Sequence, residues 1–206
     1  MPSVTSVPFS TLIGQLPVHA HSISVEANDW NANFVEANLG DLWAAIFGGL
    51  PIIRISRGRL LTYQYATPEQ KCAEILLWGY PNNPRGIVTH CLPHLAAIAL
   101  CAASGNPWPA YFQNLHAAAR INISTISKLA YFHCRTFNLQ PALILDNRLM
   151  NASRRWTGVN WPGGLSYATG PQHYPAYLAA MHAAARTIRC SADQIEFFLF
   201  ALGESF

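Results

Sequence analysis

The sequence predicts a mostly α-helical fold, and three observations carry that expectation. Strand-like alternation of apolar and polar residues is almost absent outside residues 51–65. Helix-start signals recur. Thr67-Pro68-Glu69-Gln70 offers Thr as N-cap, Pro at the first helical position and Gln in the capping-box place, and Ser191-Ala192-Asp193-Gln194 also caps a helix. With 51% hydrophobic, 12% aromatic and 11% charged residues in a chain of 206, a sizeable core can form, which excludes intrinsic disorder.

The elements follow in order. Residues 1–40, rich in Ser, Asn and Pro, read as irregular chain wrapped over the rest. Residues 41–48 form a short helix ended by Gly48, Gly49 and Pro51. The helix capped by Thr67 runs to Gly79, and the loop YPNNPRG follows. A Pro-containing apolar helix covers 87–103, Ser104-Gly105-Asn106-Pro107 breaks it, and further helices span 108–119 and 124–137. Residues 141–145 are a short apolar run ending at Asp146, and 147–155 start a helix. A Gly/Pro/aromatic loop over 160–172 precedes a helix at 173–189, and Ser191 caps the last one, IEFFLFAL. The expected organisation is an N-terminal extension, 1–64, packed on a helical domain, 65–206.

Charge is scarce, so most charged side chains should have a specific task. Eleven of the 13 cations are Arg, and the lysines are Lys71 and Lys128. A net charge of +3 permits a nucleic-acid partner without demanding one. Five cysteines, at 72, 91, 101, 134 and 190, form no CxxC pair, which argues against a zinc ribbon or a closely spaced iron–sulfur site. Buried free thiols in a reducing compartment are expected. The N-terminus lacks a basic region followed by a long apolar one, and the longest apolar stretch, 92–103, is too short for ~30 Å of hydrocarbon. A soluble cytoplasmic protein without membrane contact is therefore expected.

The segment INISTISKLAYFHCRTFNLQPALILDNRL, 121–149, carries the chemistry. It runs from a tight polar turn, Asn122-Ile123-Ser124, through a helix bearing Lys128, to an apolar run ending at Asp146. On a helical wheel Ile126, Leu129, Ala130 and His133 share a face, with Lys128 opposite them near Ser124 and Arg135. The bland reading of Lys128 is a solvated polar face, and that of Asp146 a helix cap. Against both stand the rarity of lysine here and the cost of a carboxylate at the end of an apolar run.

This arrangement resembles the helix-hairpin-helix DNA glycosylases, in particular the 8-oxoguanine branch. In that family a two-helix hairpin, matched here with the catalytic segment by about 112–150, is followed by an apolar loop ending in Asp. A Lys on the helix after the hairpin turn precedes that Asp by a short, narrowly defined interval. The interval from Lys128 to Asp146 is 18, which fits it. WGYPNNPRG resembles the turn that fills the gap left by a flipped base. The resemblance covers about 65–206 and implies a two-lobed helical domain acting on damaged duplex DNA. It implies catalysis by Lys128 and Asp146, DNA contacts from Asn82, Asn83, Arg85, Asn122, Ser124 and Thr125, and a base pocket from Trp78, Phe197 and Phe198, with Phe200 beside them. Two departures stand out. The family's common Gly-x-Gly turn is Asn122-Ile123-Ser124 here, and counted from that turn its Lys position falls on Ile126, ~200° around the helix from Lys128.

The implied reaction is excision of oxidised guanine. An amine attacks the sugar C1′ to form a Schiff base, followed by strand cleavage, while a carboxylate stabilises the positive charge developing at the sugar. The amine must be partly neutral, which requires burial or a cationic neighbour such as Arg135. The alternative is a glycosylase-fold protein that binds DNA or a modified nucleotide without cleaving it, as in bacterial antiphage systems, or an unrelated helical interaction module. No metal or cofactor is expected. His90 and His94 have i, i+4 spacing but are separated by Pro93 and lack a third ligand, and Gly164-Leu165-Ser166-Tyr167-Ala168 is one residue short of a nucleophile elbow.

Overall fold

The computed structural model describes residues 1–82 and 86–203. Among them are eleven α-helices and two small antiparallel sheets. The fold is mostly helical. Residues 1–40 are not irregular, which corrects the sequence reading. They form α1 (Val7–Gly14), a 3-10 turn (Val18–Ala20), β1 (Ser22–Glu26) and α2 (Ala27–Glu36). Helix α3 spans Gly40–Phe47, and β2 (Ile52–Ser56) pairs with β1 in the register Ser22↔Ser56 to Glu26↔Ile52. The alternation at 51–65 is therefore strand only over its first third. Ser56 ends it by accepting the Arg59 amide as N-cap of α4, Arg57–Thr62.

Helix α5 spans Pro68–Gly79 with Thr67 accepting the Gln70 amide, and its residues 72–78 are all buried. The helix expected at 87–103 splits at Pro93 into a 3-10 segment, Gly86–His94, and α6, Leu95–Ala103. Helices α7 (Trp108–Ala119) and α8 (Ile123–Phe132) make a hairpin. Helix α8 ends at Phe132, short of the expected 137. Cys134 takes a left-handed backbone, and a two-residue turn, Asn138-Leu139, with φ of 49° and 64°, joins β3 (Thr136–Phe137) to β4 (Gln140–Pro141).

Helix α9 (Asn147–Ala152) stops short of 155, and α10 (Gly170–Ile188) starts ahead of the expected 173. Pro175 lies inside α10 and leaves the Pro171 carbonyl without its i+4 donor. The Trp108 indole N–H supplies the bond at 2.6 Å. Helix α11 (Ala192–Leu202) opens with the expected Ser191/Gln194 capping box. No disulfide joins any of the five cysteines. Cys72 and Cys91 are buried as expected, whereas Cys134 is exposed because it sits in the turn after α8.

One apolar cluster runs from Val4 to Leu199. Inside it lies an ion pair. Arg57 Nη1 and Nη2 donate to Glu196 Oε2 and Oε1 at 2.8 and 3.0 Å, with both side chains fully buried. The guanidinium lies over Trp78, Tyr131 and Phe197, each 5.3–5.6 Å from the ring centre. Burial works against the Arg57 charge, but the Glu196 carboxylate outweighs it and holds the guanidinium above its ordinary pKa. Breaking one side of such a pair strands a buried charge. Glu196→Gln should lower unfolding stability by about 3–5 kcal/mol, and the double change Arg57→Met with Glu196→Met should recover most of it. Urea midpoints at constant slope measure both, and equal losses for the single and double variants would refute the pairing energetics.

Candidate active site

The hairpin turn sits two positions earlier than the sequence suggests. Arg120 caps α7 in left-handed backbone (φ 51°), Ile121 is fully buried, and Asn122 caps α8, its Oδ1 accepting the Ser124 and Thr125 amides at 3.1 and 3.3 Å. The turn is thus Arg120-Ile121-Asn122, and Ser124 belongs to the helix. Moving the turn by two moves the lysine position counted from it off Ile126 and onto Ser124, one helical turn before Lys128. Residues four apart share a face, and helical side chains lean toward the N-terminus. The Lys128 amine accordingly arrives at Ser124, donating to its Oγ at 2.8 Å.

Lys128 is not on a solvated face. All ten residues of α8 are buried, and Lys128 is 6% exposed. A side chain at Gly79 would crowd its stem, since a Cβ there would lie 3.1 Å from Lys128 Cδ. Lys128 Nζ lies 5.5 Å from the centre of the Tyr80 ring, whose hydroxyl meets Thr125 Oγ1 at 2.6 Å. Burial pulls the Lys128 pKa below the ordinary 10.5 and Arg57 adds to this, against the opposing pull of Asp146 and Glu196. Arg135, the expected cationic neighbour, instead lies over Tyr111. Arg57 takes that place.

The apolar run 142–145 is buried, and side chains answer much of its backbone polarity. Ser127 Oγ accepts the Leu145 amide at 2.9 Å, the Tyr174 hydroxyl accepts the Leu143 amide and donates to the Leu143 carbonyl, and the Tyr177 hydroxyl donates to the Ile144 carbonyl at 2.7 Å. This bracing from α8 and α10 fixes where Asp146 emerges. Its Oδ1 accepts the Leu149 amide at 3.1 Å, so the carboxylate does cap α9.

Lys128 and Asp146 line one cavity of about 550 Å³, together with Ser124, Arg57, Trp78, Tyr80, Tyr167, His21 and Phe200. Of the residues expected at the base pocket, Trp78 and Phe200 line it. Phe197 stands behind, against Arg57 and His21, and Phe198 lies elsewhere in the core against Phe9 and Trp156. Thr125 is buried against Tyr80, and Asn122 is engaged as a cap. Pro81 lines the cavity and the exposed Asn82 follows it, while Asn83 and Arg85 lie outside the described residues. Lys71 is not among the lining residues and sits half-buried near Cys134. No group of three or more potential metal ligands occurs among the described residues.

His21 and Arg57 escape the sequence reading because the resemblance begins only at residue 65. Glu196 carries a signal: a lone carboxylate inside the apolar helix IEFFLFAL requires a buried partner.

Comparison with protein-family models matches residues 16–200 to the family described as "putative 8-oxoguanine DNA glycosylase OGG-like protein". The match starts before His21 and Arg57, so it takes in most of the N-terminal segment that the sequence resemblance left out. No curated protein and no solved structure matches the chain. No helix among the described residues is long and apolar enough to cross a membrane.

The dual position of Asp146 can be separated by substitution. Asn is as good an N-cap as Asp, so Asp146→Asn should leave the melting temperature nearly unchanged, whereas Asp146→Ala should cost about 1 kcal/mol. Equal destabilisation by both would show that the charge, not the cap, carries the structural role.

Proposed function

The chain belongs to the 8-oxoguanine DNA glycosylase OGG-like family, and on that premise we propose that it excises oxidised guanine from DNA and cleaves the strand through a Schiff base on Lys128. The carrying observation is that Lys128 and Asp146 open into one cavity while burial depresses the amine's pKa. A neutral amine has the lone pair that attack on C1′ requires. Asp146 supplies negative charge beside the sugar, where the breaking N-glycosidic bond leaves positive charge. Ser124 holds Nζ in place. The cavity takes a base only after extrusion from the stack, and its aromatic walls suit a flat ring. Asn82, Asn83 and Arg85, following the rim residues Tyr80 and Pro81, fill the vacancy in the duplex.

Borohydride trapping on an 8-oxoguanine·cytosine duplex tests the reading. Lys128→Gln should abolish the trapped complex and Lys71→Gln should leave it intact. Trapping by Lys128→Gln would mean the nucleophile is another amine. Asp146→Asn should lower excision by ~10²-fold or more. Because the Lys128 pKa is lowered, wild-type trapping should reach its plateau below pH 10.5, the ordinary lysine value. A plateau only above it would contradict the poised amine.

The rim assignment has its own check. Arg85→Ala should weaken lesion-duplex binding and blur opposite-base preference without moving the melting temperature. A large drop in melting temperature would make the loop structural instead.

A further inference from the structure

His21 lines the cavity, yet the fold makes no use of its polarity. Its ring is packed against three aromatic rings, Phe197 at 4.9 Å, Trp78 at 5.6 Å and Phe200 at 5.9 Å between centres. Its carbonyl accepts the Arg57 amide at 2.9 Å, which fixes the backbone beneath it. The side chain makes no hydrogen bond among the described residues. Nδ1 is buried without a partner, Nε2 has none among the described residues, and the residue lines the cavity. Burial and the nearby Arg57 charge hold the imidazole pKa down to about 4, so the ring is neutral at physiological pH, with one N–H and one lone pair.

An unmet polar atom in an aromatic cluster is costly, and phenylalanine would fill the same space without that cost. Phe197, Phe200 and Trp78 show that this cluster accepts large aromatic groups. A polar ring retained among them, at the wall of a cavity, is matched to something that enters the cavity. A nucleobase edge is such a group, being flat and dense in donors and acceptors.

We propose that His21 is the specificity contact for the extruded base, its imidazole hydrogen-bonding the polar edge of an oxidised purine held in the cavity with Lys128 and Asp146. This rests on the glycosylase reading above. Neutrality matters to the contact: a charged ring would favour any electron-rich edge, whereas a neutral one demands the correct donor–acceptor match. A site built to hydrogen-bond its ligand strongly rejects an analogue that lacks the matching group, because its own buried polar atom then stays unpaired.

The experiment compares wild type, His21→Phe and His21→Gln in excision from an 8-oxoguanine·cytosine duplex and in trapping on the same duplex carrying a preformed abasic site. Titration with 8-oxo-2′-deoxyguanosine and deoxyguanosine follows by calorimetry. His21→Phe should lose about 10- to 100-fold in excision, far more than on the abasic duplex, which has no base to read. His21→Gln should recover part of the loss. His21→Phe should melt at or above wild type, because the fold loses an unmet polar atom. Undiminished excision by His21→Phe, or equal losses on both duplexes, would overturn the assignment. If wild type neither excises the base from the lesion duplex nor traps on the abasic one, the glycosylase reading fails, and the nucleoside titration decides separately. Weaker 8-oxo-2′-deoxyguanosine binding by His21→Phe sustains the contact, and identical affinities overturn it.

Discussion

The buried Arg57–Glu196 pair is the constraint on which the rest of the molecule depends. It joins the helix following the N-terminal strand pair to the last helix, across 139 positions of chain. A charge pair with no solvent access tolerates little displacement, because its hydrogen bonds are the compensation for desolvation. The three rings around Arg57 are held with it, and one of them, Trp78, also walls the cavity. The N-terminal segment, 1–64, is therefore tied into the site through Arg57, and the family match from residue 16 agrees with that. The Arg57 half of the pair lines the cavity and favours a neutral His21, whereas on Lys128 its pull is opposed by Glu196, so that burial is what lowers the amine's pKa.

Two other devices complete the geometry. Gly79 and Ser124 accommodate the lysine, the first by leaving room for its stem and the second by receiving its amine. Ser127, Tyr174 and Tyr177 replace a missing sheet partner for 142–145 and thereby set the position of Asp146. Helix α8 serves both at once, with Ser124 and Lys128 turned to the cavity and Ser127 to the apolar run. Helix α8 thus holds the lysine directly and shares with α10 the placing of the aspartate.

Much of this is legible in the sequence, and the exceptions have physical causes. The caps at Thr67 and Ser191 and the run ending at Asp146 are local, so residue type and spacing suffice to place them. Helix α8 reads too long because Thr136 and Phe137 continue an apolar pattern, while the left-handed Cys134 that ends it has no compositional mark. The hairpin turn is misplaced by the sequence because Arg120 occupies a left-handed position usually marked by Gly or Asn. Residues 1–40 look irregular as sequence because α2 is rich in Asn and β1 is short. Their burial depends on partners distant in sequence. His21 is invisible for the same reason: a histidine becomes informative only when its surroundings are known.

The distribution of charge along the chain gives the site its electrostatic sense. No Asp or Glu lies between Glu74 and Asp146, a stretch that contains the hairpin, Arg85, Arg120, Lys128 and Arg135. The carboxylate at the start of that stretch is neutralised, since Glu74 is fully buried and accepts two hydrogen bonds from Arg59 at 2.8 and 2.9 Å. Asp146, at its end, has no ion-pair partner among the described residues. The hairpin stretch thus contributes cations and no carboxylate of its own, even though the net charge of the chain is only +3. A carboxylate at that place opposes phosphate binding; it caps α9, and its charge has a further use wherever positive charge forms beside it. On the proposed reaction, that place is the sugar from which the base departs.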